Sequence, residues 1–319
     1  MKRTIPLILS VLLCLGAVAC APPKVVQADK LSIVTTAFPE YDFARAVVGE
    51  LANVHMLLAP GASAHSYDPT PSDIIRIQNA DIFLYTGGEN DAWAESLLAA
   101  IDTSAITVIS LMDHIHALQE EMEEDHEHTE KHHEDEAEHH ENAGEDPHIW
   151  TSPKNALQLL SVIRDGIAQA DSAHAQTYAE NAGRYQKELE QIDAELTEIV
   201  ANAVRKKIVV ADRFPFLYLV TDYGLSYEAA FPGCSDQTDA GAKTFVRLVN
   251  TVTEEGIPYV YYVELSGRST AEAVSEQTGA GTLLLHSCHN VTKSDFESGV
   301  TYVDLMRQNL INLKKGLNE

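Results

Sequence analysis

Short apolar segments of strand-like composition alternate with single helical segments in both halves of the chain, and this alternation limits the fold most strongly. In the first half the strand patterns end in turn residues or polar residues, and they cover residues 30–37, 52–61, 81–88 and 105–111. The same alternation resumes after residue 207. Short apolar strands divided by single helices are typical of parallel sheets that carry helices on both faces. The sequence therefore predicts an α/β fold.

A long helical pattern separates the two halves. Residues 171–206 keep apolar side chains at three- and four-residue spacing for about ten turns. We therefore expect an α/β fold of two lobes, each with a mainly parallel sheet and flanking helices, joined by one long backbone helix. The predicted organisation is a signal peptide at 1–20, a tether at 21–30, an N-terminal lobe at 31–112 that ends with 147–170, an intervening loop at 113–146, the linking helix at 171–206 and a C-terminal lobe at 207–319.

Residues 113–146 hold an unusual concentration of histidine and acid. They contain eight of the 14 histidines, 15 of the 48 acidic residues and a single basic residue, Lys131. Such a composition cannot build a core, so it predicts a mobile loop. The whole chain has 22 basic residues and a formal charge of −26, which argues against nucleic acid as a partner.

The N-terminus has the pattern of an export signal. Lys2 and Arg3 precede a short apolar run, and small residues stand before Cys20 as in a bacterial lipobox. We expect lipid on Cys20 to anchor the protein to the outer face of the cell membrane, with plain secretion as the alternative. In the exported chain, Cys234 and Cys288 then form an even pair, which favours a disulfide, although a metal-bound thiolate is the competing interpretation.

Polar residues with metal-binding potential follow several apolar strands. His65, Asp212, Glu264 and His286 lie just past strands, and His148 lies where the first half meets the helical region. Ligands collect at the carboxyl ends of parallel strands, so we expect these side chains to converge. Imidazole nitrogen and carboxylate oxygen suit zinc, and also manganese or iron. Taken singly, each histidine could be a surface residue, Asp212 a helix cap and Glu264 a salt-bridge partner.

Two motifs resemble one protein family. The segments GASAHSYDPTPSD (61–73) and DPHIWTSP (146–153), together with the lipoprotein signal, the acidic histidine-rich loop and the long helix, resemble the metal-binding subunits of bacterial ABC importers for zinc or manganese, the cluster A-I solute-binding lipoproteins. The resemblance covers essentially the whole mature chain. It implies that His65 and His148 are the two metal ligands from the N-terminal lobe.

The C-terminal half departs from the family pattern. The family usually has a histidine or glutamate after the strand that follows the long helix; here that place is Asp212 or Arg213, depending on where the match is anchored. His286 stands for the usual aspartate near the last strand. Glu264 matches a family glutamate near the cleft and is the substitute if Asp212 does not reach. Three histidines and one carboxylate resemble the zinc-type members.

The resemblance implies an extracytoplasmic, lipid-anchored protein, expected to be a monomer, that captures Zn²⁺ and delivers it to an ABC permease. A closed shell of four protein ligands would bind without catalysis, so no enzyme activity is expected. The alternatives are a manganese-type subunit, a metal-binding adhesin and, less favoured, a zinc hydrolase. The loop is interpreted as an auxiliary zinc scavenger, or else as a solvated loop without a role; its histidines are His114, His116, His126, His128, His132, His133, His139 and His140.

Overall fold

A computed structural model of the protein describes residues 30–63, 66–88, 91–120, 144–233 and 240–319. It contains two four-stranded sheets in which every strand pair is parallel. The first sheet has the order β2-β1-β3-β4 and the second has the order β6-β5-β7-β8. These sheets and their helices confirm the predicted fold class.

The N-terminal sheet is formed by the four apolar segments of the first half. Its strands are β1 (Leu31–Thr35), β2 (Ala52–Met56), β3 (Ile82–Tyr85) and β4 (Thr107–Ser110). The helices between them are α1 (Phe38–Val48), α2 (Pro71–Gln78) and α3 (Ala92–Ala100). All four residues of β3 are buried, as expected for a strand that is covered on both faces.

The C-terminal sheet repeats this arrangement. Its strands are β5 (Lys207–Phe214), β6 (Ser226–Pro232), β7 (Tyr259–Tyr262) and β8 (Gly281–Leu284). Its helices are α6 (Leu217–Tyr223), α7 (Ala242–Glu254), α8 (Ser269–Thr278), α9 (Lys293–Ser298) and α10 (Tyr302–Asn318). The register of β5 against β6 shifts between Val210 and Arg213, which marks a bulge just before the carboxyl end of the strand.

Two helices lie between the sheets in sequence. They are α4 (Pro153–Ala170) and α5 (Ala175–Ala201), and α5 packs against α1, α4 and α10. With 27 residues, α5 is about 40 Å long. Its buried stripe has the predicted three- and four-residue spacing: Tyr178, Ala182, Tyr185, Leu189, Ile192, Leu196 and Ile199.

The linking helix is shorter than the 171–206 pattern. At its start, Asp171 accepts hydrogen bonds from the Tyr178 hydroxyl and a ring nitrogen of His174, each at 2.7 Å, and the chain forms a 3₁₀ turn there. At its end, the Asn202 side-chain amide donates to the carbonyl of Glu198 at 2.9 Å. The helical hydrogen-bond pattern does not continue beyond this point, and the Arg205 amide donates instead to the carbonyl of Leu317 in α10.

Contacts between α1, α5 and α10 join the two lobes around a buried carboxylate. Asp42 of α1 accepts hydrogen bonds from the hydroxyl of Tyr185 in α5 and from the amide of Tyr302 in α10. One large hydrophobic cluster contains core residues of both lobes. Within the described part of the chain, none of the helices combines the length and apolar character needed to span a bilayer.

Candidate metal centre

His148 is held rigidly by the residue two places before it. Oδ1 of Asp146 lies 2.7 Å from Nδ1 of His148 and also accepts the His148 backbone amide at 2.8 Å. Both side chains are 1% exposed. A carboxylate at Nδ1 fixes the proton there and directs the Nε2 lone pair outwards, which is the usual support for a metal-binding histidine.

Trp150, the last residue of the D-P-H-x-W motif, connects the motif to the C-terminal lobe. The indole nitrogen of Trp150 donates to the carbonyl of Ser287 at 2.8 Å, and the Tyr302 hydroxyl donates to the carbonyl of Trp150 at 2.7 Å. The ring centroid of Trp150 lies 5.7 Å from that of His148. The motif therefore orients its histidine and places it against the opposite lobe.

A cavity of about 110 Å³ lies where residues of both lobes meet. The N-terminal lobe contributes the loop after β2 together with His148. The C-terminal lobe contributes the carboxyl end of β5 and the segments after β5, β6, β7 and β8. The residues that line it are Gly61, Ala62, Ser63, His148, Arg213, Pro215, Gly233, Val263, Glu264, Leu265, Ser287, His289 and Asn290.

His289 is the histidine of the C-terminal lobe that faces His148. The two ring centroids are 5.4 Å apart and the rings are nearly perpendicular, at 84°. His289 also packs on Trp150, with ring centroids 4.9 Å apart. It was not among the predicted ligands, because the strand-end argument favoured the first histidine of LLLHSCHN. The signal in the sequence that could have identified His289 is that this segment contains a second histidine.

His286 is engaged in hydrogen bonds through both its ring and its main chain. Its Nδ1 accepts the backbone amide of Cys288 at 2.9 Å, and its main chain is held on both sides by the side-chain amide of Asn309. A neutral imidazole whose Nδ1 accepts a hydrogen bond carries its proton on Nε2, so neither nitrogen has a lone pair to offer. His286 is 7% exposed and does not line the cavity that holds His148 and His289.

The predicted carboxylates lie on neighbouring parts of the same edge. Glu264 lines the cavity and accepts the amide and the hydroxyl of Ser287. Asp212 lines an adjoining cavity of about 220 Å³ and accepts the amides of Arg213 at 2.8 Å and Val263 at 3.2 Å. It does not cap α6, which begins at Leu217. Arg213, which follows the bulge in β5, borders both cavities.

The residues that precede His65 are hydrogen-bonded to the C-terminal lobe. The Asn290 side chain donates to the carbonyls of Ala59 and Ala62, both at 2.8 Å, and the Gly61 amide donates to the carbonyl of Val291. Ser63 lines the cavity. His65 itself lies outside the described residues, and its assignment as a ligand stays a prediction.

Several other predicted residues also fall outside the described ranges: Cys20, Cys234, His126, His128, His132, His133, His139 and His140. Cys288 is buried, and its disulfide with Cys234 stays a prediction because Cys234 is not among the described residues. Burial, with Glu264 nearby, raises the pKa of the Cys288 thiol well above its usual range, which favours the unreactive protonated form. His114 and His116 are exposed.

Two parallel α/β lobes joined through a long helix, with imidazole rings of both lobes at one cavity, define a two-lobed binding protein whose site suits a metal ion. The chain belongs to the family described as zinc-uptake complex component A, periplasmic, whose model matches residues 33–316. This establishes the family resemblance seen in the sequence.

The names of two relatives agree with this family. The chain is 34% identical over 316 residues to the zinc-binding lipoprotein AdcA of Streptococcus pneumoniae, a match that covers 98% of this chain and 61% of the relative. It thus spans about three fifths of that relative's length. It is 31% identical over 291 residues to the high-affinity zinc uptake system protein ZnuA of Bacillus subtilis, covering 91% of this chain and 89% of that protein.

Solved structures share the fold along most of the chain. The Zn(II)-bound ZnuA-like domain of S. pneumoniae AdcA superposes with a TM-score of 0.74 at 29% identity, covering 91% of this chain and 100% of that one. The metal-dependent lipoprotein YcdH of B. subtilis superposes with a TM-score of 0.76 at 26% identity, covering 90% of this chain and 100% of that one.

Proposed function

We propose that the protein captures Zn²⁺ in the cavity between its lobes and delivers the ion to an ABC-type permease. The observation that carries the proposal is the meeting of His148 and His289 across the lobe boundary, with Nδ1 of His148 fixed by Asp146. Two imidazoles from different lobes suit capture, because a bound ion would bridge both lobes.

The proposed ligand set is His148, His289, His65 and the carboxylate of Glu264. Glu264 already lines the cavity, and an oxygen that accepts one hydrogen bond keeps a second lone pair. Asp212 and His286 are the alternatives carried over from the sequence, and both already hold backbone amides. A nitrogen-rich set of four favours Zn²⁺ over Mn²⁺, which prefers more oxygen ligands.

Binding without catalysis fits this geometry. Four protein ligands would leave no open position for a bound water, which a zinc hydrolase requires. The family name and the names of the curated relatives describe zinc uptake or zinc binding. A bound Mn²⁺ in the purified protein would instead support the manganese-type alternative.

We also propose that the protein acts at the outer face of the cell membrane, as a monomer anchored by lipid on Cys20. The support is the lipobox-like sequence before Cys20 and the lipoprotein name of the pneumococcal relative. The permease is the membrane partner in this proposal. Residues 113–146 would raise the local Zn²⁺ concentration through many weak sites of histidine and carboxylate.

Zinc titration calorimetry of the full chain tests the function. We expect one tight Zn²⁺ site, which His148→Ala weakens strongly because it removes an inner nitrogen ligand. His174→Ala is the matched control, since His174 is half-exposed and bonded to Asp171 at the start of the long helix. Equal affinities for wild type and His148→Ala, or a purified protein that never binds zinc tightly, would refute the proposal.

A further inference from the structure

His289 lines two cavities. One is the cavity that it shares with His148, and the other is a smaller cavity of about 20 Å³. The smaller cavity also borders Asp91 and Trp93 at the start of α3, and Thr36 just after β1. Because one water molecule needs about 10–15 Å³, this cavity has room for a single water.

All the hydrogen bonds that Asp91 makes within the described part of the chain end on one of its oxygens. Oδ2 accepts the amides of Thr86 at 2.9 Å and Gly87 at 3.2 Å and the hydroxyl of Thr36 at 3.3 Å. The side chain is 7% exposed and does not cap α3. Oδ1 takes part in none of these bonds, so this oxygen is available to a donor in the small cavity.

Trp93 brings a hydrogen-bond donor to the same cavity. Its ring packs edge-on against Tyr67, with ring centroids 5.5 Å apart. Nε1 of Trp93 is buried and has no acceptor among the residues that the structure describes. A buried N–H without an acceptor is costly and rare in folded proteins. One small cavity thus joins an unused donor, an unused acceptor oxygen and His289.

We propose that Asp91 is a positioning residue that orients His289 through one ordered water. This water accepts hydrogen bonds from Nε1 of Trp93 and from a ring N–H of His289, and it donates to Oδ1 of Asp91. Three hydrogen bonds are typical of a buried water. The inference rests on the proposed function, because it concerns the support of a proposed zinc ligand.

The water decides which nitrogen of His289 faces the metal site. A neutral imidazole carries its proton on one nitrogen and a lone pair on the other. With the proton held towards the small cavity, the lone pair points to the cavity shared with His148. Metal-binding histidines usually donate their second N–H to a carboxylate, a carbonyl or a water, and a water bridge is nearly as good as a direct bond.

The two proposed imidazole ligands are then supported in different ways. Asp146 contacts His148 directly at 2.7 Å, and both residues belong to one short motif. Asp91 belongs to the N-terminal lobe and His289 to the C-terminal lobe, where the His289 carbonyl also accepts the Phe38 amide at 3.3 Å. The orientation of His289 therefore depends on the packing of one lobe against the other.

A high-resolution crystal structure of the full chain tests the water directly. It should show one ordered water at about 2.5–3.2 Å from Nε1 of Trp93, from Oδ1 of Asp91 and from a ring nitrogen of His289.

Asp91→Asn tests the effect on zinc. The variant keeps an oxygen for the three donors that hold Oδ2, so its amide NH₂ replaces Oδ1 and meets the water with a donor instead of an acceptor. We expect calorimetry to show a loss of Zn²⁺ affinity of about tenfold. Asp81→Asn is the matched control, because the exposed Asp81 also accepts a backbone amide, that of Ser32, and loses the same charge.

Trp93→Phe tests the same water without changing Asp91. It keeps an aromatic ring against Tyr67 but removes the N–H, and we expect a loss of affinity of about threefold.

Two further measurements separate orientation of the ring from a purely structural role. The visible absorption bands of the Co²⁺-loaded chain should shift in Asp91→Asn, because they report the ligand geometry around the ion. In nitrogen-15 NMR of the Zn²⁺-loaded chain, the ring N–H proton of His289 should exchange with solvent faster in Asp91→Asn than in wild type. Asp81→Asn should match the wild type in both measurements.

Three results would overturn the inference and leave the proposed function intact. The first is a well-resolved small cavity with no water that reaches all three groups. The second is equal Zn²⁺ affinity for Asp91→Asn and Asp81→Asn. The third is a loss of affinity in Asp91→Asn with an unchanged Co²⁺ spectrum and unchanged proton exchange, which would limit Asp91 to holding its loop. Failure of the wild-type chain to bind zinc tightly would instead remove the proposed function.

Discussion

The two sheets share one strand order but hold the acidic residues at their strand ends in different ways. In each lobe the first strand lies between the second and the third, and the fourth lies at the edge. No sequence similarity between the two halves is evident, so the shared order reflects the packing of parallel strands and crossover helices. The difference lies in how the hydrogen-bond donors of each lobe are divided between the two oxygens of a carboxylate.

The N-terminal lobe buries two carboxyl groups, Glu40 and Asp91, in each of which the side-chain and loop donors reach only one of the two oxygens. Thr86 donates its hydroxyl to Oε1 of Glu40, whereas Oε2 is buried without a partner among the described residues. Oδ2 of Asp91 accepts the amides of Thr86 at 2.9 Å and Gly87 at 3.2 Å and the hydroxyl of Thr36 at 3.3 Å. Burial raises the pKa of Glu40 to about 7 and that of Asp91 to about 6.

The C-terminal lobe gives its strand-end carboxylates a donor for each oxygen. Glu264 takes the amide and hydroxyl of Ser287, and Asp212 takes the amides of Arg213 and Val263. These contacts fix the loops around the cavity. A polar residue at a strand end is therefore not a metal ligand by position alone, because many such residues hold the backbone of the next strand or loop.

The largest effect we expect concerns the buried acid of the N-terminal lobe. The pKa of Glu40 is raised from 4.5 to about 7 by folding, so wild-type stability should fall as pH rises through this range and level off above it. Glu40→Gln removes this loss. Between about pH 4.5 and pH 8, the free energy of unfolding of the variant should gain up to about 3 kcal/mol relative to wild type.

Urea unfolding of the metal-free proteins at the two pH values measures this difference. Glu50→Gln serves as the control, since Glu50 is an exposed glutamate just after the same helix, α1. The control should follow the wild-type pH dependence. If Glu40→Gln also follows it, the carboxyl group is not penalised by burial, and the proposed contrast between the lobes fails.

The next effect separates the two histidines after β8. His289→Ala should weaken Zn²⁺ binding about 100-fold, because even the loss of a residue that only supports a ligand costs 10–100-fold. His286→Ala should change the affinity by less than about threefold, since its Nδ1 already accepts the Cys288 amide. Calorimetric titration well below each variant's melting temperature measures both. The reverse ranking would restore His286 as the ligand.

Much of the fold and the geometry of one proposed ligand could be predicted from local sequence. The strands of both lobes are short apolar runs, and the stripe of α5 repeats every three or four residues, so burial alone indicates them. His148 is identifiable because its supports are close in sequence: Asp146 orients the ring, and Trp150 follows two residues later. Most of the residues that position His148 therefore lie within the motif itself.

The choice among the C-terminal residues depends on contacts distant in sequence. His286 is held by Asn309, 23 residues later, and Asp212 is held by Val263, 51 residues later. Cys288 has a positive φ of 62°, and this turn sends His289 to the cavity after His286 has been buried. Neither the periodicity nor the residue types of the segment reveal these contacts.

A smaller effect is expected where the N-terminal lobe supports its proposed ligand, His148. Asp146→Asn keeps an oxygen that can accept from Nδ1 of His148 but removes the charge that makes the ring a stronger donor to metal. We expect the affinity for the first equivalent of Zn²⁺ to fall about tenfold. Asp102→Asn, which changes an exposed acid of the same lobe, should leave it unchanged. Equal affinities for the two variants would show that Asp146 only fixes the backbone.

The smallest effect tests the arginine of the C-terminal lobe that borders the cavity. Arg213 borders the cavity, and its positive charge should oppose a bound cation. Arg213→Gln should therefore tighten Zn²⁺ binding by about threefold, and the gain should shrink as salt is added. Arg268→Gln is the control, since Arg268 is exposed in the adjoining cavity and lies over the Tyr262 ring. Weaker binding by Arg213→Gln would mean that the guanidinium positions a carboxylate of the site, and that this lobe contributes to capture through Arg213 as well as through His289.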